Sequence, residues 1–135
     1  MITSEVKYLG GLRTTAVHVK SNNEIITDAP IDNYGKGEAF SPTDLIATGL
    51  GSCMITLMGI KADNLGINLE GTKAEVIKRM SVDDPRRIKE IRVTLIMNQN
   101  FDDKTKVILE KIALTCPVAK SLHPELKQTV EFLYP

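Results

Sequence analysis

The sequence predicts an α+β fold in a single domain spanning residues 1–135, and three observations carry that class. Short β-branched segments open the chain and return after residue 66. Between them lies a long uncharged stretch behind the helix-start signal Ser41-Pro42-Thr43-Asp44. A second, amphipathic segment at 102–114 separates a long hairpin from a final strand. The order is β-β-β-α-β-β-α-α-β. A length of 135 residues, with 42% hydrophobic and 25% charged residues, is that of one globular domain. Aromatics are 4% and Trp is absent, so the core is expected to be aliphatic.

Residues 3–9 and 12–20 read as strands joined at Gly10-Gly11, a hairpin signal. Thr14, Thr15, Val17 and Val19 suit the second of them through β-branching. A turn at Ser21-Asn22-Asn23 leads into a third short strand, 23–28, and 30–38 is a loop with Gly35 and Gly37. Ser41 is a good N-cap, Pro42 fits the first helical position, and Asp44 can reach back as the acid of a capping box. The helix should run to Asp63 or Asn64 and stop at Gly66. A hairpin follows over 67–80 and 87–98, with turn chemistry at 81–87. Ile91, Val93, Leu95 and Met97 alternate with Arg92, Thr94 and Ile96, which predicts one buried face. Asp102 and Asp103 open the helix 102–114; Cys116-Pro117 ends it and starts a short helix over 117–122. Residues 127–133 form the last strand.

The long helix is apolar or small on every face, from Leu45 to Ile60. A helix apolar all round is expected to be buried all round, and a chain this small can hardly surround it. A second subunit is the expected remedy, giving an interlocked homodimer, with Gly49, Gly51 and Ser52 allowing another backbone close approach.

Lys+Arg and Asp+Glu are both 17, so the net charge is zero and the basic excess of a nucleic-acid binder is missing. No membrane partner is expected, because the uncharged run 45–60 is shorter than the roughly 20 apolar residues of a span and carries Thr48, Gly49, Gly51, Ser52 and Thr56. MITSEVKYLG lacks the features of a signal peptide, so a cytoplasmic location, where thiols stay reduced, is expected.

Two cysteines cannot be a disulfide scaffold; they are core residues, half a metal site or a redox pair. Cys53, in mid-helix, reads first as a small core hydrophobe. Cys116 precedes Pro117, where unpaired N–H groups favour a thiolate, so by position it is the more acidic thiol. If Cys53 is a nucleophile, its thiolate needs a partner from elsewhere, such as an Arg. There is no CxxC motif, and Cys53, Cys116, His18 and His123 match no zinc spacing, so no metal is expected. A Cys-His pair using His123 has no specific support.

SPTDLIATGLGSCM at 41–54 and CPVAKSL at 116–122, in this order and spacing, resemble the helix and second-cysteine motifs of the OsmC/Ohr family. The β-rich start, the hairpin and the Cys-Pro helix extend the resemblance over essentially the whole chain. The resemblance implies an OsmC-like fold, with curved antiparallel sheets wrapped around central helices in an intertwined homodimer. It implies a thiol-dependent peroxidase that reduces organic, and also inorganic, hydroperoxides without a cofactor. Cys53 matches the attacking cysteine, Cys116 the resolving one, and Arg13 is the best match to the family's Arg. An external dithiol or lipoyl-type reductant would restore the thiols. Phe40, Thr43, Leu50 and Met54, with Met80, are candidate substrate-lining residues, with core packing as their alternative role. Peroxidase members carry Glu directly after the helix Pro, bonded to the Arg. Thr43 stands there, with Asp44 next and Glu38 upstream, so the orienting acid is missing or replaced. The alternatives are an OsmC-like protein that binds an apolar ligand without turnover, and a plain structural dimer with two core cysteines.

Overall fold

The computed structural model describes residues 1–135, which divide into two compact units, Met1–Ile46 and Ala47–Pro135. The first unit is an antiparallel meander of β1 (Ser4–Gly10), β2 (Arg13–His18) and β3 (Glu24–Asp28). The first turn holds Gly10, Gly11 and Leu12 at φ of 81°, 60° and 61°, a left-handed run that glycine enters without strain. β2 ends at His18, two residues earlier than the sequence suggests, because Ser21 and Asn22 donate their N–H groups to the His18 carbonyl and close the turn there. Val6, Tyr8, Ala16 and Ile25 share one face of this sheet, while Arg13, Thr15, Glu24 and Asp28 share the other. The following loop contains a short 3-10 turn, Ile31–Asn33.

Helix α1 (Pro42–Leu65) starts as the capping signal requires. The Asp44 N–H donates to Ser41 Oγ at 3.0 Å, and the Ser41 N–H donates to Asp44 Oδ2 at 3.0 Å. It stops at Gly66, whose φ of 71° lets the Ile67 N–H turn back onto the Ala62 carbonyl.

The second unit contains most of α1, then β4 (Lys73–Met80), β5 (Ile88–Ile96), α2 (Asp103–Leu114), α3 (Pro117–Ser121) and β6 (Lys127–Leu133). β4 begins at Lys73 rather than near 67, because Asn98 Nδ2 donates to the carbonyls of Asn68 and Glu70 and holds that stretch as a loop. The Asp102 carboxylate caps α2 through the Thr105 N–H at 2.8 Å. Ala47, Leu50, Met54 and Met58 of α1 pack with Ile91, Val93 and Leu95 of β5, Met97, Leu109 and Ala113 of α2, and Cys116. Each fully buried Leu, Ile or Met is worth about 1.5–3 kcal/mol of transfer free energy.

The architecture corrects the expected form of the sheets. The sheets are not curved antiparallel layers wrapped around central helices: they are two open three-stranded sheets. The second is mixed, since β6 runs parallel to β5. The helical crossover through α2 and α3 is the cause, because such a connection returns the chain in the direction it left. As expected of a chain too small to surround it, α1 is not buried all round within this chain. Ala47, Leu50, Gly51, Met54, Met58 and Ala62 form one buried stripe, while Ile46, Ile60 and Leu65 are exposed. By length and hydropathy alone α1 would also cross a membrane; the stripe against β5 is the packing of a core helix. Gly51 serves the chain's own sheet, since a Cβ there would lie 2.9 Å from Val76 Cγ2 of β4, whereas Gly49 faces open space.

Candidate active site

The second unit brings the two cysteines together. Cys53 lies half-buried in the middle of α1, and Cys116 is the fully buried N-cap of α3. Pro117 holds the residue before it extended, and Cys116 has φ −65° and ψ 155°. That turns its side chain back over the first turn, where Sγ accepts from the Ala119 N–H at 3.5 Å. Cys53 and Cys116 are neighbours around the same core, near enough for Cys53 to act on the Cys116 thiol, and both are free.

Burial pushes the Cys116 thiol above its ordinary value. The Ala119 N–H works in the opposite direction without overcoming it, and the neighbouring Cys53 raises it further. This corrects the expectation that the helix end makes Cys116 an acidic thiol. The helix end is present, but the sequence does not reveal that the sulfur is removed from water.

In the first unit, Arg13 and Asp28 stand directly opposite each other on β2 and β3. The pair is bidentate: Nε donates to Oδ1 at 2.7 Å and Nη2 to Oδ2 at 2.8 Å. Asp28 is only 1% exposed. Its Oδ2 also accepts the Glu38 N–H at 3.1 Å, and the Glu38 carboxylate meets Arg13 Nη2 at 3.5 Å. The hydrogen bonds from Arg13 hold the Asp28 carboxyl below the usual range despite burial, assisted by the Glu38 N–H. The Arg13 guanidinium is raised in turn, chiefly by its bond to Asp28.

The acid that meets Arg13 is therefore Asp28, with Glu38 second; Asp44 is engaged with Ser41 at the cap of α1. The sequence reading missed Asp28. Its signal was the register: a turn at residues 21–23 sets position 28 opposite position 13.

The remaining candidates fall into different settings. Thr43 Oγ1 is 3.2 Å from Ser41 Oγ, inside the cap. Phe40 lines a shallow depression of about 390 Å³ with Gly37, Glu38, Ala39 and Asp44. Leu50 and Met54 have no exposed surface and sit in the core, and Met80 is half-buried at the end of β4. His18 Nδ1 lies 2.6 Å from Ser21 Oγ, and His123 Nδ1 accepts the Glu125 N–H at 3.0 Å, so both rings are held in local turns.

A family profile described as OsmC-like protein matches residues 35–131. No curated protein matches the chain. Among solved structures, a protein from Psychrobacter arcticus 273-4, provisionally described as an osmotic stress induced and detoxification response protein, is 59% identical, with a TM-score of 0.95 over 98% of this chain and 96% of that one. An organic hydroperoxide resistance protein OsmC from Legionella pneumophila is similar in fold, at 16% identity and a TM-score of 0.75 over 98% of this chain and 97% of that one. So is an OsmC like protein from Mycoplasma pneumoniae, at 17% identity and a TM-score of 0.80 over 97% and 94%.

Proposed function

This chain belongs to the OsmC/Ohr family, and from that premise we propose that it is a thiol-dependent peroxidase acting on organic hydroperoxides. The observation that carries the reading is the neighbouring pair of free thiols, Cys53 and Cys116. The detoxification role in the description of the Psychrobacter arcticus protein, 59% identical, points the same way.

In this reading the Cys53 thiolate attacks the distal oxygen of the hydroperoxide. The O–O bond breaks, the leaving alkoxide takes a proton to become an alcohol, and Cys53 becomes a sulfenic acid. The Cys116 thiol then attacks the Cys53 sulfur, water leaves, and a Cys53–Cys116 disulfide forms. An external dithiol or lipoyl-type reductant exchanges with it, is itself oxidised to a disulfide, and restores both thiols. The raised pKa and burial of Cys116 suit a resolving thiol, kept protonated until Cys53 has been oxidised. Arg13, from the same chain or a second copy, supplies the cation that stabilises the Cys53 thiolate and polarises the peroxide. The reduced thiols this cycle needs favour a cytoplasmic setting.

The protein is also read as a homodimer. Val6, Tyr8 and Ile25 expose 66%, 64% and 46% of their surface on one sheet face, an apolar face open to a second copy. Light scattering should give twice the chain mass.

The test of the peroxidase is direct. Reduced protein is treated with cumene hydroperoxide, and peroxide consumption, thiol loss and intact mass are followed. Wild type should form the intramolecular disulfide, and Cys116→Ser should accumulate oxidised Cys53. Consumption no faster than that of Cys53→Ser would refute the enzyme and leave the ligand-binding alternative.

A further inference from the structure

We infer that Asp28, assisted by Glu38, is the positioning residue that locks Arg13 by one edge of its guanidinium and presents the opposite edge for anion binding. This rests on the role given to Arg13 in the proposed function.

A guanidinium has five N–H donors in a rigid plane. The single Nε donor goes to Asp28 Oδ1, and the two Nη2 donors go to Asp28 Oδ2 and Glu38 Oε1. Three of the five are thereby committed, and the two on Nη1 lie outside the clamp. A bidentate pair fixes the plane of the guanidinium as well as its distance, which a single point contact cannot do. The clamp is itself anchored. Asp28 is buried, stands in register with Arg13 on the adjacent strand, and takes a backbone N–H from Glu38 on the same oxygen that meets Nη2. Asp28 also ends β3, where its own N–H donates to the Phe40 carbonyl at 3.0 Å. A buried carboxylate that neutralises the single charge of the guanidinium lowers its attraction for a further anion. An arrangement that accepts this loss and leaves Nη1 available is suited to orientation: it favours an anion in one place and one direction.

The experiment uses the full-length protein with dithiothreitol as reductant and cumene hydroperoxide as substrate. It compares wild type, Asp28→Asn, Arg13→Ala and the double variant, by turnover and by the pH midpoint of Cys53 alkylation. Asp28→Asn should slow turnover about tenfold, while in the Arg13→Ala background the same change should cost nothing further. A merely structural carboxylate would cost as much in both backgrounds, and that outcome overturns the inference. Should Asp28→Asn fail to fold, Asp28→Glu keeps the charge and displaces the guanidinium by a methylene. A misplacement of about 1 Å can cost on the order of a hundredfold in rate, and turnover at the wild-type level in Asp28→Glu overturns the inference as well. Slow Arg13→Ala with normal Asp28→Asn overturns this inference alone. Arg13→Ala with wild-type turnover and midpoint refutes the role of Arg13 in the proposed function, and this inference with it.

Discussion

Cys53 and Cys116 are neighbours although they come from different helices, the middle of α1 and the N-cap of α3. They differ in setting. Cys53 keeps partial access to solvent, and Cys116 has none. A thiol that a reagent can reach therefore stands beside one that it cannot.

That difference predicts an order of reaction. With limiting iodoacetamide at pH 7.5, Cys53 should be alkylated first and Cys116 about tenfold slower or worse, since the thiolate is the reactive species and burial disfavours it. Peptide mapping over a time course reads the order directly. Equal rates at the two sites would contradict the burial of Cys116.

The Arg13–Asp28 pair predicts an acid limb in stability. The Asp28 carboxyl is depressed in the folded chain, chiefly by its hydrogen bonds from Arg13. Its contribution is present above the unfolded value of about 3.9 and is lost as pH falls through the lower folded value. Melting temperatures measured from pH 6 to pH 2 should fall more steeply in wild type than in Asp28→Asn, which begins lower and changes less. Parallel curves would show that the pair makes no net contribution.

How far these features were legible in the sequence depended on how local their cause was. The cap at Ser41 and Asp44, the stop at Gly66 and the alternation of Ile91, Val93 and Leu95 are set by neighbours along the chain, and the structure has each of them. Cys53 and Cys116 are singled out by their motifs, but the acidity expected of Cys116 from its helix end is overridden, because depth of burial is a tertiary quantity that no flanking residue encodes. Asp28 was overlooked although the strands around it were placed, since its role follows from cross-strand register and not from its neighbours Thr27 and Ala29. The parallel course of β6 was missed for a related reason: the helices α2 and α3 were recognised as elements, and their effect as a crossover was not.

The glycines of α1 give a prediction in opposite directions. A Cβ at Gly51 would come within 2.9 Å of Val76 Cγ2, a stiff β-branched side chain, whereas one at Gly59 would meet nothing within 4 Å. Ala gains roughly 1 kcal/mol over Gly in a helix interior, while overpacking costs roughly 1–3 kcal/mol. Urea titration should therefore show Gly59→Ala more stable than wild type by up to about 1 kcal/mol, and Gly51→Ala less stable. A stabilising Gly51→Ala would mean that α1 stands farther from β4 than described.

The C-terminal segment carries the last prediction. Tyr134 sets its ring edge-on to Phe101, at 6.4 Å between centroids and 89° between planes, with Lys106 Nζ 4.4 Å from the ring centre. Its hydroxyl donates to Glu110 Oε2 at 2.8 Å, so one side chain ties the chain beyond β6 to two turns of α2. Burial, with the Glu110 carboxylate adding to it, raises the Tyr134 hydroxyl well above its ordinary value. A raised acid contributes stability below its unfolded pKa, near 10, and loses it as pH rises through the folded value. Tyr134→Phe keeps the ring and removes the donor, and should cost about 1 kcal/mol at neutral pH. Tyr134→Ala also removes the aromatic and cation contacts and should cost about 2 kcal/mol. Above pH 10, Tyr134→Phe should lose stability less steeply than wild type. Hydrogen exchange should quicken in α2 before it does in β5. Equal stability of Tyr134→Phe and wild type at neutral pH would show that the bond to Glu110 only replaces one to water, leaving the ring contacts to hold α2.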